Sequence, residues 1–451
     1  MNILGIDIGT TTVTALVLNT DTKTAKSVTL KNDSFIDGRS FEKLQSPEII
    51  IDTVKKAVKD VTDGVTVDSV GVTGQMHGIL YLDKNNDPCS PLMIWQDGRG
   101  NEIYKDNITY AEYLTKETGI KSASGFGLTT HFYNVVNNEV PKDAVKLTTI
   151  HDYLVSVLTG SDVVTHSSDG ASLGFYDLVK NEFSREALKK VGISFDMLPK
   201  VIKTTSVAGT TNCNFLPDGI PVSVAIGDNQ ASFLGSVAER ESVLVNVGTG
   251  SQVSFITKEV KEISNGEIRP LTDDDYIFVG SSLCGGRAYA ILKNFFTLCA
   301  DFLGGNSDDL YNRMNSLSRD VFDLENPLNV SCEFCGTREN PNKRGFIENI
   351  SEDNFTPTHL ICGFLKGVSK ELKDMFDSAD ILLDFEPKEL VCSGNGLRKS
   401  GVWRKIFEND FSLKSTLPKH SEEAAVGACI FSSVASGIYK NIKDAQNSLL
   451  R

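Results

Sequence analysis

The chain has 451 residues, with 45 Lys and Arg against 59 Asp and Glu, a net charge of −14, and 40% hydrophobic and 23% charged residues. That composition supports a large core and excludes disordered and low-complexity classes. The acidic balance argues against nucleic acid and anionic membranes as partners, while backbone N–H groups can still bind a small anion.

No apolar run approaches the roughly 20 residues of a membrane-spanning helix. The start, MNILGIDIGT, has no basic n-region, so no signal peptide is expected. The nine cysteines are scattered, which fits a reduced, cytoplasmic chain. The length implies two or three domains.

Residues 2–31 read as strands separated by turns. Residues 47–62 carry apolar side chains at helical spacing behind a leading proline, which predicts a helix. A buried strand is expected at 67–73, the turn Gly74-Gln75-Met76-His77-Gly78 after it, and a further strand at 79–82. Strands alternating with helices indicate an α/β protein. A strand at 222–226 runs into Gly227-Asp228-Asn229-Gln230 and an apparent helix. The strand–turn–strand pattern of residues 3–18 recurs at 243–256. This predicts two related α/β domains, 1–238 and 239–451. Helices are expected near 288–303, 358–377 and 422–438, with a strand and small-residue turn at 389–396.

Several turns carry candidate chemistry. In Asp7-x-Gly9-Thr10-Thr11-Thr12, Gly9 permits a tight turn after which N–H groups and hydroxyls can face a phosphate. Asp7 could hold a hydrated Mg²⁺. A plain hairpin is the alternative. Gly248-Thr249-Gly250-Ser251 repeats the pattern in the second half, which strengthens the phosphate reading for both. Gly394-Asn395-Gly396, and more weakly Gly285-Gly286, allow close approach of a flat or phosphorylated ligand. Asp228 reads either as a helix cap or as a general base that accepts a proton from a sugar hydroxyl. Gln75, Met76 and His77, and Asp97 in Trp95-Gln96-Asp97-Gly98-Arg99, follow likely strands where ligands sit in open α/β sheets. Cys332-x-x-Cys335 and His359-x-x-Cys362 have zinc-pair spacing, but ordinary thiols are the better reading.

Together these segments resemble the FGGY carbohydrate kinases, within the larger group of actin, hexokinase and chaperone ATPases. Asp7–Thr12 and Gly248–Ser251 are similar to the two phosphate loops and Gly227-Asp228 to the catalytic motif. Gly336-Thr337-Arg338-x-x-Pro341-x-x-x-Gly345 resembles the C-domain motif. Gly394–Gly396 with Glu423-Ala424-Ala425-Val426-Gly427-Ala428 resembles the adenosine segment. Within the family, Trp95–Arg99, Ser124-Gly125-Phe126-Gly127, Ile150-His151-Asp152-Tyr153 and Asp169–Gly174 are most similar to sedoheptulokinases.

The resemblance implies two ribonuclease-H-like domains around a central cleft, the N-terminal one mainly for sugar and the C-terminal one mainly for nucleotide. It implies ATP and Mg²⁺ as cofactors and a ketose substrate, sedoheptulose first. It makes Asp228 the base and places Met76, His77, Asp97 and Asn229 near the sugar. Xylulose is the alternative substrate, and a non-kinase ATPase of the same fold a more distant one. A monomer or homodimer without membrane or nucleic-acid partners is expected.

Overall fold

Near-continuous apolar runs make two strands of the N-terminal sheet buried on both faces. In the computed structural model, which describes residues 1–273, 275–337, 340 and 342–451, these are β1 (Asn2–Ile8) and β2 (Thr12–Asn19), joined by the Gly9 turn. β3 (Ala25–Lys31) extends the hairpin. Helix α1 (Pro47–Thr62) starts where Ser46 accepts from the Ile49 N–H at 3.2 Å and Pro47 opens the first turn. Its Ile50, Val54, Ala57, Val58 and Val61 are buried. Next come β4 (Ser69–Gly74), α2 (Ile150–Thr159), α3 (Ser167–Leu173), β5 (Val207–Thr210), β6 (Pro221–Ser223), β7 (Ile226–Gly227) and α4 (Asp228–Ser236). The sheet order is β5-β6-β4-β1-β2-β3, with β7 also on β4.

Register decides which residues share an edge. β1 lies parallel to β4, with Asp7 opposite Thr73 and Ile8 opposite Gly74. β7 lies parallel to β4 on its other side, with Ile226 opposite Thr73 and Gly227 opposite Gly74. The carboxyl ends of β1, β4 and β7 are therefore level, and Asp7 and Asp228 leave the same edge two strands apart. The single strand expected at 222–226 is interrupted. Val222 pairs with Val70 but Ile226 with Thr73, so one residue is inserted between the two pairings. Such a bulge bends the strand and re-aims the chain that follows, here the start of α4.

The second unit comprises residues 239–268 and 276–418. It contains β8 (Ser242–Val247), β9 (Ser251–Thr257), β10 (Tyr276–Ser282), α5 (Gly286–Phe302), α6 (Pro357–Ser378), β11 (Glu389–Ser393), α7 (Gly394–Lys399), α8 (Gly401–Phe411) and β12 (Ser415–Thr416). β8 pairs antiparallel with β9 and parallel with β11. This repeats the relation of β1 to β2 and β4, so the recurrence read from residues 3–18 and 243–256 is a structural one. Among the described residues no helix is long and apolar enough to cross a membrane.

Residues 1–238, 269–275 and 419–451 form the first unit. The last segment, expected with the second half of the chain, folds back here because α9 (Glu423–Ala435) packs at backbone distance. A Cβ on Gly5 would lie 2.2 Å from the Ala425 carbonyl oxygen, and one on Gly71 2.0 Å from that of Ala428. A Cβ on Gly235 would lie 2.0 Å from the Glu423 oxygen, and one on Gly427 1.8 Å from that of Ala231. No real side chain fits there. In an exposed helix interior, Gly→Ala stabilises by about 1 kcal/mol. At Gly427 the sign should reverse, with a loss of about 1–3 kcal/mol from overpacking. Urea unfolding of Gly427→Ala measures it, and an unchanged or raised midpoint would contradict this packing.

Candidate active site

Asp228 is the first residue of α4, and the cap position belongs to Gly227, with no side-chain cap bond. Its carboxylate is therefore not used to cap the helix. Oδ1 accepts from Asn229 Nδ2 at 2.7 Å. Burial pushes the Asp228 carboxyl above the usual range, while Asn229, Arg269 and His151 pull it back. Burial also raises Asp7, to about 7, with Asp228 and Glu422 adding repulsion. Two crowded carboxylates on one sheet edge are a hard-oxygen donor set, and a divalent cation would relieve their repulsion. That chemistry fits Mg²⁺ at Asp7.

The Gly9–Thr12 turn, a candidate phosphate loop, is held from behind. Thr10 Oγ1 donates to Gln75 Oε1 at 2.9 Å and accepts from Trp95 Nε1 at 3.0 Å. Gln75 Nε2 donates to Gln45 Oε1 at 2.7 Å, and Gln45 Nε2 donates to the Thr10 carbonyl at 2.8 Å. Gln75, expected at the sugar, is occupied at both ends of its amide in bracing this loop. Asn32 Nδ2 clamps the Gly9 carbonyl at 2.9 Å, and Thr11 and Thr12 are exposed.

Three of the residues expected at the sugar do converge. His77 holds a left-handed backbone at φ 71° and stacks on Phe126 at 4.9 Å between ring centroids. Its Nδ1 lies 2.7 Å from the Ser172 carbonyl oxygen, which can only accept, so Nδ1 carries the proton and Nε2 faces Arg269 as acceptor at 3.5 Å. Asn229 Oδ1 accepts from Arg269 Nη1 at 3.0 Å. Met76 lies 3.7 Å from that nitrogen, and its Cε would meet a Cβ on Gly227 at 2.5 Å. Asp97 differs. Its carboxylate accepts from the Lys43 and Arg99 N–H groups, each at 3.1 Å, and from Arg99 Nη1 at 2.7 Å. It is 1% exposed and locks the Trp95–Arg99 turn.

The second unit holds a cavity of about 850 Å³ lined by Gly248, Thr249, Gly286, Asn395 and Gly396. Gly285 and Gly394 lie just behind it. A Cβ on Gly285 would sit 2.2 Å from the Gly250 oxygen, and Gly394 has φ 81°. The 285–287 amides do not face the cavity: Gly285 and Arg287 donate to the Thr249 carbonyl, each at 3.0 Å, and Gly286 to that of Gly248 at 2.8 Å. Gly285-Gly286 thus fixes the second loop through its amides. Tyr289 and Trp403 add an aromatic wall, with ring centroids 6.1 Å apart, and Arg287 and Lys399 add positive charge.

Two segments quoted from the sequence only for their resemblance, 150–153 and 169–174, meet in a charged cluster that linear spacing did not reveal. His151, Asp152 and Asp169 are 0%, 1% and 0% exposed, with His151 Nε2 3.0 Å from Asp169 Oδ1. The approach is an ion pair whose angle lies outside hydrogen-bond geometry. Burial alone would lower His151, but Asp169, Asp152 and Asp228 outweigh it and raise it to about 9. The group has ligand spacing, yet the imidazolium already supplies its cation. The two suggested zinc pairs form no such group among the described residues. His359 is bonded to Thr356 and the Glu325 carbonyl, and Cys332 Sγ to the Phe364 carbonyl. Arg338 and Pro341 of the C-domain motif lie outside the described residues.

Two units, each built on an antiparallel hairpin extended by a parallel strand, define a ribonuclease-H-like kinase architecture. Residues 2–235 match the FGGY family of carbohydrate kinases, N-terminal domain, and the chain belongs to that family. It is 25% identical to the sedoheptulokinase of Mus musculus, over 95% of this chain and 96% of the relative. It is 23% identical to the gluconokinase of Bacillus subtilis (strain 168), over 96% and 87%. The fold is shared with the xylulose kinase from Rhodospirillum rubrum, with a TM-score of 0.86 at 19% identity, covering 100% of this chain and 93% of that one. The protein is a sugar kinase, and kinases of this family use ATP.

Gln75→Leu tests the bracing of the first loop. It leaves the Gln45 and Thr10 groups without their partner, at about 1–3 kcal/mol of stability. Steady-state kinetics should show a lower kcat with little change in sugar KM. A rise in sugar KM alone would return Gln75 to the sugar.

Proposed function

We propose that this kinase transfers the γ-phosphoryl group of ATP to a terminal primary hydroxyl of a ketose, most readily sedoheptulose at C7. The observation that carries the reading is Asp228. It is a carboxylate at the carboxyl edge of parallel strands, not used as a helix cap, with Asp7 level with it and Met76, His77 and Asn229 at its side. Asp228 Oδ would accept the hydroxyl proton as the sugar oxygen attacks phosphorus. His77 would orient the polyol, while Asn229 would hold the Asp228 carboxylate. Mg²⁺ held through Asp7 would neutralise charge on the phosphates. The sugar would bind mainly to the first unit. The nucleotide would bind mainly to the second, with its base between Tyr289 and Trp403 and its phosphates toward Gly248 and Thr249. Positioning would supply most of the acceleration, since aligned reactants gain about 7–11 kcal/mol over a bimolecular encounter.

The choice of sugar is supported by the 124–127 segment. A Cβ on Gly125 would lie 1.9 Å from the Trp95 carbonyl oxygen, and one on Gly127 2.8 Å from that of His77. The segment that resembles sedoheptulokinases therefore shapes the wall against both predicted sugar turns. Xylulose is the second reading.

Two measurements test this. Release of ADP from Mg·ATP across sedoheptulose, xylulose, ribulose, gluconate and glycerol should give the highest kcat/KM for sedoheptulose. A preference for xylulose would keep the mechanism and displace the substrate. Asp228→Asn should lower kcat by about 10²–10⁴-fold and leave ATP binding intact by calorimetry. Turnover near the wild-type rate would remove Asp228 as the base.

A further inference from the structure

Arg269 was not anticipated from the sequence, yet its guanidinium reaches the residues around the proposed base, Asn229 at 3.0 Å and His77 at 3.5 Å. It belongs to 269–275, a short segment of the first unit separated from Ala238 by thirty residues of the second. The segment is pinned on both sides of Arg269's neighbours. Gln230 Nε2, fully buried in α4, donates to the Pro270 carbonyl at 2.9 Å. Asp273 Oδ1 accepts from the Thr205 N–H at 2.8 Å, and Leu271 is 1% exposed. Arg269, 5% exposed, is thus delivered beside α4 by an anchored backbone.

Its contacts form a directed chain. Arg269 Nη1 donates to Asn229 Oδ1 at 3.0 Å, and Asn229 Nδ2 donates to Asp228 Oδ1 at 2.7 Å. The first bond fixes which end of the amide faces the carboxylate, because arginine has donors only. A free Asn229 could rotate and present its oxygen to Asp228, which would repel the carboxylate. With Arg269 in place the N–H₂ end must face Asp228. That bond fixes one oxygen of the base, so the other is held for the substrate proton. Arg269 Nη2 also lies 3.5 Å from His77 Nε2, tying the sugar-side imidazole to the same planar group.

We propose that Arg269 is a positioning residue of the kinase reaction: through Asn229 it sets the orientation of the Asp228 carboxylate, and through His77 it sets the orientation of the sugar. The inference rests on Asp228 as the base. A planar, five-donor fork can hold two acceptors at a fixed separation, whereas a lysine ammonium can satisfy one acceptor at a time without the fork's geometry.

The test uses the full chain, the best sugar from the substrate panel and saturating Mg·ATP, so the identity of the sugar is settled in the wild type before any variant is compared. Arg269→Met should lower kcat on the order of 10²-fold, the loss expected from misplacing a reacting group by about 1 Å. The KM for ATP should stay within about twofold. Arg269→Lys should recover part of kcat by serving Asn229 alone, while its sugar KM stays raised. In a double-mutant cycle, Arg269→Met with Asn229→Ala should reduce kcat no further than Arg269→Met alone, because one acts through the other. Additive losses, or a wild-type kcat in Arg269→Met, would overturn the proposal. If Arg269→Met does not fold, the split between kcat and sugar KM in Arg269→Lys decides. Loss of both in parallel with thermal midpoint would reduce Arg269 to a structural role. If Asp228→Asn proves active while Arg269→Met is impaired, the base assignment fails and the role of Arg269 must be sought at the sugar.

Discussion

Backbone-to-backbone contact between α9 and its neighbours is the constraint on which the rest of the first unit depends. Gly5 lies two residues before Asp7 on β1, Gly71 on the adjacent β4, and Gly235 near the end of the helix that Asp228 begins. One helix, α9, rests against all three. Its own Gly427 admits α4 to the same depth. The strand that carries one carboxylate and the helix that carries the other are thereby referenced to a single rigid body. A side chain at any of these positions would lift one element by more than an ångström, which is the scale on which in-line phosphoryl transfer is sensitive.

Electrostatics then sets the state of that edge. Asp7 and Asp228 are pushed toward the neutral form by burial, and Asp7 also by the charge of Asp228, a state useless to a base or a cation ligand. Three features oppose this. Asp228 sits in the first turn of α4, where the helix dipole favours negative charge. His151 lies beneath the sheet as a buried cation paired with Asp169. Arg269 approaches from the side through Asn229. These groups keep Asp228 chargeable while leaving it an accessible edge. Buried ion pairs are poor sources of net stability, so His151 and Asp169 are better understood as local charge control than as a fold determinant.

Much of this was legible in the sequence where the signal is local. Ser46 and Pro47 mark the start of α1, and the apolar spacing of 47–62 carries its face. The glycine-centred turns at 9, 248 and 394 were readable from the small residues that follow each strand, and at Gly394 the backbone itself demands glycine, with φ 81° and the Val247 carbonyl oxygen 2.6 Å from where a Cβ would lie. The repeated hairpin announced two related units. What escaped is non-local. Gln75 and Asp97 look like sugar ligands, and only tertiary contacts reveal that Thr10, Gln45 and Lys43 already engage them. Arg269 sits in a polar stretch with no period or motif, and its meaning depends on the 269–275 segment returning to the first unit. The bulge between Val222 and Ile226 is invisible in a continuous apolar run. The place of 419–451 follows from glycines on four separate elements whose partnership no linear spacing encodes.

The return of α9 has a consequence for the order of biosynthesis. Ile3 and Cys429 are in contact, with the cysteine Sγ 3.5 Å from the Ile3 carbonyl oxygen. β1 leaves the ribosome before the second unit, and its covering helix after it. Until residues 423–435 emerge, the faces of β1 and β4 bearing Gly5 and Gly71 lack their cover. The second unit, whose segments lie wholly between, can complete its own sheet earlier. Nascent chains from which residues 423–435 have not yet emerged would therefore carry a finished second unit and an unfinished first one, and such intermediates with bare apolar sheet are the species that chaperones engage.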